Sequence, residues 1–337
     1  MTTKGALPME TAVRTLNAYL AEPIEIGEPE VAGPLAVFPL FGPPAQFEYQ
    51  SFAQGHGHGV SIKELAGGAS VNDLVVDNPT GLPVLLFEGE EVLGAQQNRT
   101  FDLSVLVPAH STLQVPVSCV EAGRWDGARH AEDFAPAPQA AYPTLRRLKN
   151  EAVLTAVASG AAVRADQGAV WNEVDHKLDA LAASAPTRAM HDGYKARRHE
   201  LGELTSACSL KPRQTGMLVA IGGECSVLDR VSQPDVLASL FEPLVQGYAL
   251  DALGVADAEP PSVDDAETFI GSALSSPTLE RDGIGLGRDV RLNASRVTGA
   301  GVVCADELVQ LSVFAGSGRA DALLHHARIR RPSRTRR

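Results

Sequence analysis

The chain has 337 residues, of which 44% are hydrophobic and 21% are charged. This length and composition predict a folded protein with a sizeable core and exclude an intrinsically disordered chain. Lysine and arginine number 29 against 41 aspartate and glutamate residues, which gives a net charge of -12. Such a surface disfavours binding to long nucleic acids and to anionic membranes.

The sequence contains no apolar run long enough for the core of a signal peptide or for a membrane span. We therefore expect a cytoplasmic protein without a membrane partner. The four cysteines form no CxxC pair, and their spacing fits no zinc motif. They are best interpreted as reduced, mostly buried residues.

Hydrophobic periodicity divides the chain into successive regions. Residues 11–20 have helical spacing, whereas short apolar or alternating runs broken by Gly, Pro and Asn predict strands over 23–125. Residues 142–208 are Ala-rich and charged, with a helical period. After Pro212 the chain returns to strands, passes through a further long helix and ends in two predicted strands.

This order predicts an α+β fold with an antiparallel β-sandwich-like core. The core would combine residues ~23–125 with the C-terminal strands, and ~142–208 would form a central helical segment. We predict a single domain over residues 1–320, because the last strands should return to the first sheet. Two domains with a boundary near Ala140 are the alternative. The basic residues 321–337 are predicted to be a flexible C-terminal tail.

Residues 97–121 contain the clearest strand pattern. Apolar and polar residues alternate through 101–107 and again through 113–119, on either side of the loop 108–112. This pattern predicts a β-hairpin in which each strand has one dry and one wet face.

Arg99 and Glu121 extend the dry face of this hairpin. If Val107 lies opposite Leu113, Arg99 faces Glu121, whereas a slipped register places Arg99 beside Cys119. Either register brings Arg99 close to Glu121. Removing one partner of a buried charged pair typically costs roughly 3–5 kcal/mol. Such a pair therefore predicts a structural switch or a functional site.

Glu88 and Glu90 are in phase with each other on the preceding strand and present two carboxylates on one face. Two close carboxylates share a proton or bind a cation, so these residues are the candidates for a divalent metal site. The candidate catalytic residues are Glu88, Glu90 and Glu121. A structural role is the alternative: Arg99 would pair with Glu121 at one end of the sandwich, and Glu88 and Glu90 would be solvated at a turn.

Amide, guanidinium and indole groups next to these acids predict ligand contacts. Arginine suits phosphate, and tryptophan offers a flat surface for a ring or a sugar. In the segment KPRQTG (211–216), the arginine could hold a phosphate, although a solvated loop is the simpler interpretation. The candidate ligand-binding residues are Gln97, Asn98, Arg99, Arg124, Trp125 and Arg213.

Several segments also resemble a known family. LLFEGEEVLGAQQNRT (85–100) and VPVSCVEAGRW (115–125) resemble the ADP-ribosylglycohydrolase- and rhodanese-phosphatase-superfamily-associated protein domain, and the similarity extends from about residue 10 to 317. The family is bacterial and is named for genomic neighbours that handle ADP-ribose and phosphoesters. The resemblance implies a link to NAD or ADP-ribose metabolism by association, and it implies no particular catalytic residue.

Two functions are consistent with these observations. The first is a hydrolase or transferase that acts on an ADP-ribose-type or other phosphorylated small molecule, with the acids in acid/base roles or holding a divalent metal. The alternative is a non-catalytic ligand-binding or scaffold module associated with NAD/ADP-ribose metabolism. Both predict a small-molecule ligand, and nucleic acid would bind only through the basic tail.

Overall fold

A computed structural model describes residues 15–20, 22–294 and 296–316. Of the helix predicted over residues 11–20, the described part forms a single 3-10 turn, Leu16–Tyr19. The tail predicted over residues 321–337 lies outside the described residues. Among the described residues, no helix combines the length and the apolarity needed to cross a bilayer.

Strands dominate the first part of the chain, and helices the middle. The first twelve strands are β1 (Glu25–Ile26), β2 (Glu30–Ala32), β3 (Leu35–Phe41), β4 (Gln50–Ser51), β5 (Ser61–Lys63), β6 (Asp73–Asn78), β7 (Val84–Leu86), β8 (Glu90–Gly94), β9 (Arg99–Phe101), β10 (Val105–Val107), β11 (Ser111–Cys119) and β12 (Phe134–Ala140). The helices are α1 (Phe52–His56), α2 (Pro143–Ser159), α3 (Gln167–Ala180), α4 (Met190–Ala196), α5 (Arg198–Thr205), α6 (Pro234–Ala252) and α7 (Val263–Ser275). The remaining strands are β13 (Gln214–Ile221), β14 (Glu224–Val231), β15 (Thr278–Asp282), β16 (Arg288–Asn293), β17 (Val297–Cys304) and β18 (Glu307–Ala315).

The predicted α+β class is confirmed, and the core is rich in antiparallel sheet. The largest sheet has the order β1-β3-β13-β14-β18-β17-β16-β15, with β2 paired to β3. The C-terminal strands thus share a sheet with the first strands of the chain, as the sequence predicted. One face of this sheet packs on α2 and α6, and the other packs on α7 and the Leu16–Tyr19 turn.

Two smaller sheets form the second part of the core. Their strand orders are β10-β7-β4 and β12-β8-β9-β11-β6-β5, and the pair β4 and β7 is parallel. Buried Val, Leu and Phe side chains from both sheets, including Phe101 and Phe134, pack against each other and against Phe52 of α1. This shared apolar core places the strand ends around residues 88–101 and 119–125 next to the helices.

The prediction that residues 101–107 and 113–119 pair along their length as one hairpin is wrong. Residues 101–107 split into β9, which pairs with β11, and β10, which pairs with β7. The first half of β11 pairs with β6, and the change of partner falls at Pro116. Proline has no backbone N–H to continue the ladder. Asp102 turns inward at the break and accepts hydrogen bonds from Ser118 Oγ (2.7 Å) and from the backbone N–H of Ala165 (3.0 Å).

The slipped register is the one observed, since Cys119 lies opposite Arg99. The expectation that Arg99 forms a charged pair with Glu121 is wrong. Glu121 lies beyond the end of β11, where Arg124 is its ion-pair partner at 2.7 Å, while the nearest carboxylate to Arg99 in an ion pair is Glu64 at 3.6 Å. The two residues nevertheless belong to one buried polar cluster rather than to separate solvated sites.

The helical segment predicted over 142–208 is present as α2 to α5. Pro143 occupies the first turn of α2, and Gly160 ends the helix in a left-handed conformation with φ +68°. Three polar residues on the buried side of α2, Arg146, Lys149 and Asn150, point between the large sheet and the smaller sheets. Helix α2 therefore joins the two parts of the core through polar contacts.

Candidate functional site

Glu121 lies where three loops meet, and its carboxylate accepts hydrogen bonds from each of them. Oε2 accepts hydrogen bonds from Arg124 Nη2 at 2.7 Å and from the backbone N–H of Asn98 at 3.1 Å. Oε1 accepts a hydrogen bond from the hydroxyl of Thr187 at 2.8 Å. Burial by itself would raise the pKa of Glu121, but these hydrogen bonds outweigh it and the pKa is lowered. The group is therefore a stable carboxylate at neutral pH.

Backbone contacts fix the loops around Glu121. The N–H of Gly123 donates to Thr187 O at 2.8 Å, and the N–H of Met190 donates to Val120 O at 2.8 Å. A Cβ atom at position 123 would lie 2.9 Å from that Thr187 oxygen, so only glycine fits this approach. Arg124 also donates to the carbonyl oxygen of Ala95 at 2.6 Å. The loop before β9 and the loop after β11 are thus joined through one arginine.

Gln97 and Asn98 connect Glu121 to Arg99. Gln97 Nε2 donates to the backbone oxygen of Glu121 at 3.1 Å, and Gln97 Oε1 accepts from Arg99 Nη1 at 3.2 Å. Asn98 Oδ1 accepts from Arg124 Nη2 at 3.0 Å. Five of the predicted residues, from Gln97 to Trp125, therefore lie in one cluster with Glu121.

We call the surface end of this cluster the Trp125 corner, defined by Glu64, Gln96, Arg99, Trp125 and His130. The Arg99 guanidinium lies 5.9 Å from the centroid of the Trp125 ring, a cation–π contact. Trp125 is 51% exposed, whereas Arg99 beneath it is fully covered. A large exposed aromatic ring above a buried cation offers a stacking surface for a ligand ring.

The Trp125 corner also contains buried polar atoms without hydrogen-bond partners. Both carboxylate oxygens of Glu64, Oε1 of Gln96 and Nε of Arg99 are in this group. Gln96 Nε2 is paired with His130 Nδ1 at 3.0 Å. Burial raises the pKa of Glu64, although Arg99 and the nearby backbone of Gln96 oppose the rise. Unpartnered buried polar atoms cost about 1–3 kcal/mol each, so this group of four is costly to leave without partners.

A second group of titratable residues lies on the α4 side of Glu121. Gln139 Nε2 is 2.5 Å from Glu91 Oε2 and 2.7 Å from His191 Nδ1. Burial raises the pKa of Glu91 to about 8, and the charge of Glu121 adds to the rise. Burial lowers the pKa of His191. Near neutral pH, Glu91 therefore holds a proton while Glu121 is ionised.

The structure places Glu88 in a different network, centred on Arg146. Arg146 is fully buried and donates to Glu88 and, through both terminal nitrogens, to Asp229 at 2.6 and 2.7 Å. Tyr248 and Ser312 also donate to Asp229, at 2.6 and 2.7 Å. Burial would lower the pKa of Arg146, but the two carboxylates raise it well above its usual range. This network binds α2 to the large sheet, and the Glu88 carboxylate is occupied by its ion pair with Arg146.

Glu90 and Arg213 lie apart from these contacts. Glu90 is buried, its Oε2 accepts from the backbone N–H of Phe87 at 2.7 Å, and burial raises its pKa to about 8. Glu88 and Glu90 are therefore buried, contrary to the alternative that they are solvated. Arg213 is exposed beside a depression of about 360 Å³ whose described lining includes no residue from 88 to 125. No group of three or more His, Cys, Asp or Glu among the described residues is arranged to hold a metal ion.

Sequence reasoning missed Glu64, Glu91, Gln139, His191 and Arg146. Glu91 has no signal in the alternation pattern, because it lies in the opposite phase to Glu88 and Glu90. Its partner Gln139 is 48 residues away, and the pairing depends on β8 and β12 lying together. The only sequence signal for Arg146 was a charged residue within an apolar helical stripe.

The fold and the site together define an α+β protein with a buried polar cluster that opens to the surface at a tryptophan. The chain belongs to the family described as the ARG and Rhodanese-Phosphatase-superfamily-associated Protein domain, whose model matches residues 23–314. No curated protein and no solved structure matches the chain.

Proposed function

We propose that this protein binds a small molecule of the ADP-ribose type, or another phosphorylated ligand with a planar ring, at the Trp125 corner. The observation that carries the proposal is the half-exposed Trp125 ring above the buried and incompletely partnered Arg99. The ring would stack on a base, as aromatic side chains do in ligand sites. The sequence resemblance to a family associated with ADP-ribose metabolism supports the choice of ligand class.

The arginines of the cluster suit the phosphate part of such a ligand. Arg124 retains 18% exposure of its side chain, and it lies next to Trp125 in the chain. A phosphate beside Arg124 would form charge-assisted hydrogen bonds, which are stronger than neutral ones. The cytoplasmic location expected from the sequence is consistent with a soluble metabolite as ligand.

A hydrolase or transferase acting on the same ligand is the second candidate. It is favoured by the contrast between Glu91, whose pKa is raised to about 8, and Glu121, whose pKa is lowered. Neighbouring carboxyl groups with opposite pKa shifts are the usual arrangement for a proton donor and an ionised partner. Glu88 and Glu90 are poorer candidates, because each is buried and bonded to an internal partner.

Isothermal titration calorimetry with ADP-ribose tests the binding proposal. We expect the wild-type protein to bind and Trp125→Ala to bind roughly 5- to 150-fold more weakly, since stacking on an aromatic residue is worth roughly 1–3 kcal/mol. Leu210→Ala, another exposed apolar residue, is the matched control and should bind like the wild type. Absence of ADP-ribose binding, or equal binding by Trp125→Ala, would contradict the proposal.

Product analysis of the same samples separates the two candidates. Conversion of ADP-ribose by the wild type, with loss of conversion in Glu121→Gln and retained binding, would favour the enzyme. Binding without any conversion over hours would favour the non-catalytic module.

A further inference from the structure

The unpartnered atoms of the Trp125 corner have a definite hydrogen-bonding character. Glu64 Oε1, Glu64 Oε2 and Gln96 Oε1 are acceptors, and Arg99 Nε is a donor. Glu64 is 4% exposed, Gln96 is 5% exposed and Arg99 is fully buried, so bulk water does not satisfy them. The corner therefore lacks hydrogen-bond donors in particular, together with one acceptor.

We infer that the Trp125 corner recognises a planar ring group that carries an amino group beside a hydrogen-bond acceptor. An amino group supplies two donors, which the carboxylate of Glu64 and the amide oxygen of Gln96 can accept. A neighbouring ring nitrogen or carbonyl oxygen would accept from Arg99. The edge of adenine and the carboxamide of nicotinamide both have this chemistry. The inference rests on the proposed function and specifies which part of the ligand enters the corner.

The contacts within the corner hold its polar groups in place. Glu64 lies 3.6 Å from Arg99, and the Gln96 side chain is held by His130, so both acceptor side chains are fixed in position. Pre-positioned polar groups discriminate strongly between ligands, because a mismatched ligand leaves them buried and unpaired.

A surface segment provides a route of entry. Residues 65–72 include Ser70, whose backbone oxygen accepts a long hydrogen bond from Arg99 Nη2, at 3.4 Å. A Cβ atom at Gly67 or Gly68 would meet nothing within 4 Å, so there is open space beside both glycines. We expect a ligand to enter beside this segment, where the long hydrogen bond from Arg99 Nη2 to Ser70 O would open.

The test compares mononucleotides that differ only at the recognised edge. AMP carries the amino group and a ring acceptor, whereas IMP carries a carbonyl and a ring N–H in the same places. Nicotinamide mononucleotide carries a carboxamide with an amino group, whereas nicotinic acid mononucleotide carries a carboxylate in its place. We expect at least one amino-bearing member to bind roughly tenfold or more tightly than its counterpart in calorimetric titrations. The pair that discriminates identifies adenine or carboxamide as the recognised group.

Variants of the corner complete the test. Glu64→Gln replaces one acceptor with a donor, and Gln96→Leu removes the amide oxygen, so each should reduce the preference for the amino-bearing ligand to near unity. Gln114→Leu, at an exposed strand position, should keep the preference. If Glu64→Gln fails to fold, the ligand preference of Gln96→Leu is the test of the inference.

The outcomes separate this inference from the proposed function. If ADP-ribose binds but neither pair discriminates, or no mononucleotide binds, the inference is wrong and the proposed function stands. If ADP-ribose does not bind either, both are wrong. A preference that Gln96→Leu leaves unchanged would also overturn the inference, because the selectivity would then arise elsewhere.

Discussion

Glu91 should make the stability of this protein fall with rising pH. Burial raises its pKa from 4.5 to about 8, so between these values the folded protein holds a proton that the unfolded chain has released. The free energy of unfolding then decreases by about 1.4 kcal/mol per pH unit. From about pH 5.5 to about pH 7.5, Glu91 alone contributes a loss of about 2.5 kcal/mol. Glu90, with its pKa also near 8, contributes in the same direction.

The perturbation that isolates this effect is Glu91→Gln. Glutamine keeps the shape and can still accept from Gln139, but it does not titrate. We expect the variant to lose the share of the pH dependence that Glu91 contributes, about 2.5 kcal/mol between about pH 5.5 and about pH 7.5, and to be more stable than the wild type at alkaline pH. Urea unfolding at constant ionic strength over a pH series measures this, with the exposed Glu242→Gln as control. An unchanged slope in Glu91→Gln would refute the reasoning that Glu91 is protonated in the folded state.

Three further changes should have separable effects. Arg146→Leu leaves two buried carboxylates without their partner, so urea unfolding should show a loss of roughly 3–5 kcal/mol, and a loss below about 1 kcal/mol would show that the network is not buried as described. Gly123→Ala forces a methyl group towards the Thr187 carbonyl, so calorimetric melting should show a loss of roughly 1–3 kcal/mol, whereas an unchanged melting temperature would mean that the two loops do not meet. Trp125→Ala should melt nearly like the wild type, because the ring is 51% exposed; a large loss would make Trp125 a core residue instead of a binding surface.

The sequence predicted the broad architecture because periodicity is a local property. The strand-rich first part and the helices from Pro143 to Thr205 follow from local patterns, whereas the return of the last strands to the first sheet was expected from the order of the elements. The pairing of β9, β10 and β11 could not be predicted in the same way. Alternation shows which face of a strand is dry, but it does not identify the neighbouring strand, and the break at Asp102 depends on Ser118 and Ala165.

The sequence predicted which residues lie together in the candidate site better than it predicted the contacts between them. Gln97, Asn98, Arg99, Arg124 and Glu121 do converge, because the ends of β9 and β11 lie side by side. The ion-pair partners of Arg99 and Glu121 differ from the predicted ones, since Glu64 lies just after the end of β5, far away in the chain, and Arg124 lies in the same loop as Glu121. Long-range partners such as Gln139 and His191 leave no periodic signal near Glu91.

Hydrogen–deuterium exchange with and without ADP-ribose tests the location of the site most directly. Backbone amides report the segment that a ligand covers, whatever the side chains contribute. The account predicts slower exchange confined to residues 64–72, 94–99 and 119–130 when ADP-ribose is bound. Slower exchange around Arg213 alone, or no change anywhere at saturating ligand, would contradict a binding site at the Trp125 corner.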